Sequence, residues 1–147
     1  MTCFNERSPS GLDRILERIV EDPYARFLGI EILELCEGCS KTAITIGEHL
    51  LNFLGMPHGG VIFSLADVAF SAACNSYGQT AVALNMNVSF LAAVPAETRL
   101  YAVATEESRS RRIALYRVAV SAEDGTLVAL CHGTAYCKNQ PPVAEGR

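Results

Sequence analysis

The chain has no tryptophan, few basic residues and no long uninterrupted apolar run. Its 147 residues contain 12 Lys and Arg against 16 Asp and Glu, which gives a net charge of −4. Nucleic-acid-binding surfaces are basic, so this balance argues against that class of partner. Every apolar run is shorter than the roughly 18 residues of a membrane span. The polar start, MTCFNERSPSG, lacks the apolar core of a signal peptide, so we expect a cytoplasmic protein with no membrane contact.

Charge is almost missing from the long stretch between Glu48 and Glu97, where Asp67 is the only acidic or basic residue apart from histidine. Half of all residues are hydrophobic, and a chain of this length can bury a sizeable core. An unpaired ionised carboxylate is costly to bury. A carboxylate within such an apolar segment is expected to have a function, which makes Asp67 the first candidate functional residue.

Local patterns predict an α+β fold of one helix, two strands, a second helix and four further strands. Spacing and turn residues predict helices over 10–22 and 59–76 and strands over 27–36, 41–46, 81–94, 98–106, 113–121 and 127–137. Short turns make the last three strands an antiparallel meander, curved around the second helix. We expect one domain over residues 1–147, with a helical extension over 1–25 and a flexible tail over 139–147.

A stripe of small and polar residues runs along the second helix, which is otherwise apolar nearly all round and therefore predicted to be buried. The stripe residues recur at intervals of 4, 3, 4 and 4, which places them on one face: Gly60, Ser64, Asp67, Ser71 and Asn75. A ligand or a facing strand can approach along this stripe. The residues alone leave two readings open, a catalytic carboxylate or a structural one satisfied by neighbouring hydroxyl or N–H groups.

Two further clusters have chemical meaning. Arg109, Arg111 and Arg112 form the one basic cluster, suited to phosphate groups but equally typical of a solvated turn. Among the six cysteines, the single Cys36-x-x-Cys39 pair is a weak zinc signal. We therefore expect reduced thiols, no bound metal and no cofactor.

The motif NFLGMPHGG at residues 52–60, followed by FSLAD at 63–67, resembles the PaaI-type acyl-CoA thioesterases, and GTAYCK at 133–138 resembles their last strand. The resemblance implies the hot-dog fold, in which a curved antiparallel sheet wraps around a central helix. It also implies hydrolysis of an acyl-CoA with a small aromatic or medium-chain acyl group, phenylacetyl-CoA being typical. The implied assembly is a homodimer or homotetramer with its active sites at the dimer interface.

The resemblance also implies roles for individual residues. Asp67 acts as general base or as nucleophile, the two routes being open, while the Gly60 N–H at the helix N-terminus polarises the thioester carbonyl. Asn52, from the opposite subunit, binds the carbonyl or the water. For His58, apart from the resemblance, we expect an imidazole that hydrogen-bonds backbone and holds the loop ahead of the helix instead of transferring protons. The expected substrate-binding residues are His58, Gly59, Ser64, Ser71, Asn87, Ser89, Arg109, Arg111 and Arg112. Of these, Asn87 and Ser89 share one strand face that can line the site opposite Asp67.

Two alternatives remain beside hydrolysis. Hot-dog hydratases and dehydratases pair a histidine with an acidic residue, a role that His58 and Asp67 can imitate. The domain can also be a module that binds acyl-CoA without turnover.

Overall fold

The computed structural model describes residues 11–139 and confirms the predicted α+β architecture. Three helices and six strands follow the chain. The helices are α1 (Gly11–Val20), α2 (Pro23–Leu28) and α3 (Gly59–Asn75). The strands are β1 (Glu31–Cys36), β2 (Cys39–Thr45), β3 (Ala81–Phe90), β4 (Arg99–Arg109), β5 (Ile113–Ala122) and β6 (Leu127–Cys137). A short 3₁₀ turn, Glu48–Leu50, lies between β2 and α3.

The six strands form one antiparallel sheet in the order β1-β2-β4-β5-β6-β3. The last three strands are neighbours, as the short turns predict. Strand β3 pairs with β6 and not with the strand that follows it in the chain. Because α3 joins β2 to β3, it spans the width of the sheet, and β3 is left as an edge strand.

Helix α3 lies against the sheet through a fully buried face that includes Leu65, Ala69 and Phe70. Two strand hydroxyls fasten it, since Ser40 Oγ donates to the Ala69 carbonyl at 2.6 Å and Thr42 Oγ1 to the Leu65 carbonyl at 3.3 Å. A buried hydroxyl that donates to such an acceptor replaces the hydrogen bond to water that it loses on burial, so the desolvation free energy is offset. No helix described between residues 11 and 139, α3 included, is long and apolar enough to cross a membrane.

The predicted strand over 27–36 is wrong at its start, because residues 27 and 28 belong to helix α2. Asp22 caps this helix by accepting the Ala25 N–H at 2.8 Å, Pro23 occupies its first turn, and Gly29 closes it with φ of 80°. Aspartate followed by proline stops one helix and also starts another, since both residues suit a helix N-terminus. The strand itself begins at Glu31.

Two further strand boundaries differ from prediction. Strand β3 ends at Phe90 instead of residue 94, because the next two N–H groups, of Leu91 and Ala92, both turn to the Val128 carbonyl. Strand β4 continues to Arg109 across an irregularity between Glu106 and Ser108. Arg109 is therefore a strand residue and not part of the turn. The predicted structure at residues 1–10 and 140–147 lies outside the described residues.

Candidate active site

The start of α3 is an open helix end built on two glycines. His58 is the N-cap, and its ring Nδ1 accepts the Gly60 N–H at 2.8 Å. Its carbonyl accepts the N–H groups of Val61 and Ile62 at 3.0 and 3.2 Å. No acceptor for the Gly59 N–H lies among residues 11–139. The first turn of a helix leaves its N–H groups without intrahelical partners. Here His58 accepts those of Gly60, Val61 and Ile62, so this end presents the Gly59 N–H and the positive end of the helix dipole.

The loop before α3 is closed by Asn52. Its Oδ1 accepts the N–H groups of Leu54 at 2.9 Å and Met56 at 3.2 Å, and its own N–H donates to the Met56 carbonyl at 2.7 Å. The side chain therefore builds the loop with its oxygen. Since an amide carries donors only on nitrogen, the Nδ2 hydrogens are the part of Asn52 left to meet a ligand.

Asp67 lies two turns into α3 and is half-buried. Among residues 11–139, no side chain or N–H group donates to its carboxylate. Burial raises the pKa of this carboxyl above its ordinary value, and the nearby charge of Asp22 raises it further. Ser64 does not satisfy the carboxylate, because its Oγ donates to the Gly60 carbonyl at 2.8 Å and contacts the Tyr24 hydroxyl at 2.8 Å. Within one subunit, the geometry therefore gives no support to the structural reading of Asp67.

Two cavities flank the start of α3. One, of about 330 Å³, lies on the Gly59 side and has a mostly apolar lining that includes Met56, Pro57, Ile62, Phe90 and Val94. The other, of about 280 Å³, lies on the Gly60 side between α2 and the loop, where Tyr24, Leu28, His49 and His58 contribute to its wall. The two glycines thus separate two recesses, each large enough for part of a small ligand.

Asn87 and Ser89, the polar residues of β3 expected at the site, lie within one subunit on the strand face that is turned away from the hydrophobic core. Their neighbours Met86 and Val88 pack against the hydrophobic core. Because side chains alternate along a strand, Asn87 and Ser89 point to the other side, and both are exposed. Ser71 is exposed on α3 one turn after Asp67.

The three arginines are divided by the structure. The Arg109 guanidinium stacks on the Tyr77 ring at 4.0 Å and pairs with Glu106 at 3.4 Å, near the end of α3. Arg111 and Arg112 are exposed in the following turn. Arg112 donates to the Tyr136 hydroxyl at 2.8 Å and borders a cavity of about 430 Å³ shared with Lys138.

Helix α2 brings two residues that the sequence reading missed to the site. Asp22 is the charge that acts on Asp67, and Tyr24 contacts Ser64 of the stripe. The Asp-Pro pair in the sequence could have indicated α2, because it marks a helix start as well as a helix end.

The two cysteines of the weak zinc pattern, Cys36 and Cys39, are cross-strand partners in the β1–β2 hairpin. No group of three or more His, Cys, Asp or Glu side chains in the described chain is arranged to hold a metal ion.

An antiparallel sheet packed on one long buried helix is the architecture of the hot-dog fold. The model of the thioesterase superfamily matches residues 54–129. The acyl-coenzyme A thioesterase PaaI of Escherichia coli K12 is 35% identical over 78% of this chain and 82% of its own length. The chain therefore belongs to the thioesterase superfamily, and it is a thioester hydrolase.

Solved structures agree with the predicted hot-dog fold. The PaaI protein from the phenylacetic acid degradation operon of E. coli superposes with a TM-score of 0.85 at 30% identity, covering 89% of this chain and 96% of that chain. A mutant of the phenylacetic acid degradation protein PaaI from Thermus thermophilus gives a TM-score of 0.76 at 40% identity, covering 78% and 98%.

Proposed function

We propose that this protein hydrolyses acyl-CoA thioesters with small aromatic or medium-chain acyl groups, at the start of α3. The observation that carries the proposal is Asp67, a half-buried carboxylate without a hydrogen-bond partner among residues 11–139, two turns from a glycine helix end. The similarity to PaaI proteins, one named as an acyl-coenzyme A thioesterase, supports the substrate class.

In the proposed reaction, the thioester carbonyl oxygen takes the place of His58 Nδ1 as acceptor of the Gly60 N–H. His58 is exposed, so its ring can turn aside without disturbing the core. A backbone donor at a helix N-terminus stabilises the negative charge that develops on the oxygen. Glycine at position 59 leaves the approach to this donor open.

Asp67 then promotes attack on the thioester carbonyl carbon by one of two routes. As a base, it takes a proton from water while the oxygen adds to the carbonyl carbon, and CoA leaves as a thiolate that recovers the proton. As a nucleophile, it displaces the CoA thiolate to form a mixed anhydride, which water then hydrolyses. In both routes the attacking oxygen comes from water or from Asp67, so neither requires a cofactor beyond the CoA of the substrate.

We propose a two-fold dimer formed through strand β3. This edge strand exposes large apolar side chains, with Val82 exposed by 41%, Leu84 by 59% and Phe90 by 53%. An exposed apolar edge is a template for pairing with another strand. Antiparallel pairing of β3 with its copy would extend the sheet across both subunits and place the partner beside α3. The Nδ2 group of Asn52 from the partner would then donate to the carbonyl or to the water.

The CoA phosphates are assigned to the exposed Arg111 and Arg112, with Lys138 at the neighbouring cavity. Arg109 is not assigned to the CoA phosphates because its guanidinium already contacts Glu106 and Tyr77. The apolar cavity beside Gly59 is the proposed acyl recess, since its lining suits a phenyl ring or a short alkyl chain.

The test of this function is thiol release from a panel of aromatic and aliphatic acyl-CoAs. The wild type should release CoA, and Asp67→Asn should lose about 10²–10⁴-fold in turnover, the size typical of a general acid or base. Label found in Asp67 after a single turnover in ¹⁸O-labelled water identifies the nucleophilic route, because water oxygen enters Asp67 only when the anhydride is hydrolysed at the Asp67 carbonyl. Binding of CoA esters without any thiol release would contradict the proposal and favour a binding module.

The dimer is tested by mixing two inactive variants, Asp67→Asn and Asn52→Asp. Aspartate keeps the loop-building oxygen of Asn52 while removing its donor nitrogen. If each site takes Asp67 from one subunit and Asn52 from the other, mixed dimers contain one intact site. Random exchange should then restore about a quarter of the wild-type activity. No recovery after verified subunit exchange would contradict a shared site.

A further inference from the structure

Helix α2 lies outside residues 54–129, the part of the chain that the superfamily model matches. It is nevertheless firmly placed. Asp22 caps its first turn, the Ile30 N–H closes its last turn on the Ala25 carbonyl at 2.9 Å, and Ala25 is 2% exposed. A helix of six residues has little stability by itself, so these contacts determine where Tyr24 stands.

Tyr24 begins a directed chain of hydrogen bonds that ends at the first turn of α3. Its hydroxyl lies 2.8 Å from Ser64 Oγ, and Ser64 Oγ donates to the Gly60 carbonyl at 2.8 Å. A serine hydroxyl has one proton to donate. Because that proton goes to Gly60, Tyr24 must be the donor to Ser64. Consecutive hydrogen bonds polarise one another and hold their members in place together.

The first turn of α3, which accepts the last of these hydrogen bonds, is only weakly held by its own residues. Glycine is the poorest helix former after proline, and α3 begins with two of them. Neither glycine has a side chain that packing can hold. Small rotations about the Gly60 backbone would redirect its N–H group, although the buried turns that follow stay in place.

We propose that Tyr24 is a positioning residue that holds the Gly60 carbonyl through Ser64. The Gly60 carbonyl and the Gly60 N–H lie in the two peptide planes that meet at the Gly60 Cα, so holding the carbonyl limits the rotation that would turn the N–H away from the thioester carbonyl. The inference rests on the proposed function. It adds that α2, which precedes the matched family region, belongs to the working site of this enzyme. Tyr24 also lines the 280 Å³ cavity.

Tyr24→Phe tests the hydroxyl alone, because phenylalanine keeps the ring. We expect kcat to fall about five- to ten-fold, the size expected for one hydrogen bond, with KM within about two-fold of wild type. A donor aimed at developing charge acts mainly in the transition state, which is why kcat and KM should separate. Tyr101→Phe, the same change on strand β4 away from the site, should leave both constants unchanged.

A cycle with Ser64→Ala shows whether Tyr24 acts through Ser64. The double variant Tyr24→Phe/Ser64→Ala should be no slower than Ser64→Ala, because the chain is already broken at its middle member. Independent multiplication of the two effects would overturn the proposed path. Wild-type kcat in Tyr24→Phe would overturn the role itself.

Hydrogen–deuterium exchange supplies a readout that does not depend on turnover. Tyr24→Phe should speed exchange in a peptide covering residues 57–65 while peptides from β4 to β6 keep their wild-type rates. Unchanged exchange at 57–65 would contradict the proposal even if activity fell. If the wild type hydrolysed no acyl-CoA but exchange still rose in the variant, the proposed function would fail and the positioning contact would stand.

Discussion

The two ends of α3 differ in how far they are open to a ligand. The first end has two glycines, an exposed histidine cap and cavities on both sides. The last end is closed by Asn75, whose side chain donates to the Ala81 carbonyl at 3.0 Å and accepts the Ala81 N–H at 2.9 Å. These two bonds tie the helix to the start of β3. The open end can receive a ligand, whereas the closed end already contains its partners.

The contrast is sharpest between two carboxylates, that of Asp67 at the middle of α3 and that of Glu106 near its closed end. Near the closed end, Glu106 accepts from the hydroxyls of Tyr116 at 2.6 Å and Tyr77 at 3.2 Å, and it pairs with Arg109 at 3.4 Å. Burial and the Glu106 carboxylate both raise the pKa of Tyr116. Asp67 has no such partners in the part of the chain that the structure describes. Polar groups that satisfy one another stabilise a fold, and a carboxylate left unsatisfied is the better indication of a functional site.

The largest expected effect comes from adding a methyl group at the closed half of the molecule. A Cβ at Gly133 would lie 2.6 Å from Phe70 Cε2, and Phe70 is fully buried in an edge-to-face contact with Tyr116 at 5.6 Å. Gly133→Ala should therefore lower the free energy of unfolding by about 1–3 kcal/mol, measured by chemical denaturation.

Gly59→Ala is the matched change at the open end. Its Cβ would meet only the ring of the half-exposed Phe90, at 3.3 Å. Stability should change by less than about 1 kcal/mol, while thiol release should fall because the methyl group narrows the approach to the helix end. A greater loss of stability in Gly59→Ala than in Gly133→Ala would contradict the difference between the two regions.

A smaller effect distinguishes two arginines. Arg109→Met removes an ion pair and a ring contact from a partly buried cluster, and should cost about 1–2 kcal/mol of stability without changing KM. Arg112→Met should leave stability unchanged and raise KM for acyl-CoA several-fold, because its side chain is exposed beside the proposed phosphate site. Denaturation curves and steady-state kinetics measure both quantities. A raised KM in Arg109→Met alone would return the CoA contact to Arg109.

The smallest expected effect is the pH dependence of stability at Asp67. The folded state raises the pKa of this carboxyl above its ordinary value of 3.8, so folding binds its proton more tightly. Its contribution favours the folded state below the unfolded pKa and is lost as the pH rises through the folded pKa. Asp67→Asn should thus be more stable than wild type near neutrality, with the difference shrinking in acid. An advantage that grew on acidification would have the wrong sign.

Periodic and local features of this fold can be predicted from sequence, and contacts between distant elements cannot. The stripe on α3 and the β4-β5-β6 meander follow from spacing and short turns, and both are present. The alternation of Asn87 and Ser89 was also visible, but the face they occupy depends on pairing between β3 and β6, which includes an irregularity near Ala83. The Tyr24–Ser64 contact joins residues 40 positions apart, so no local pattern indicates it.

The most direct measurement compares Asp67→Asn with Glu106→Gln, two changes that each remove the charge of one carboxylate, the first at the middle of α3 and the second near its closed end. Turnover and thermal unfolding are recorded for both variants. We predict that Asp67→Asn loses at least about 10²-fold in kcat with an unchanged or higher Tm, while Glu106→Gln keeps kcat within a few-fold and unfolds at lower temperature. Near-normal turnover in Asp67→Asn, or a loss of kcat in Glu106→Gln without loss of stability, would contradict an active site at the open end.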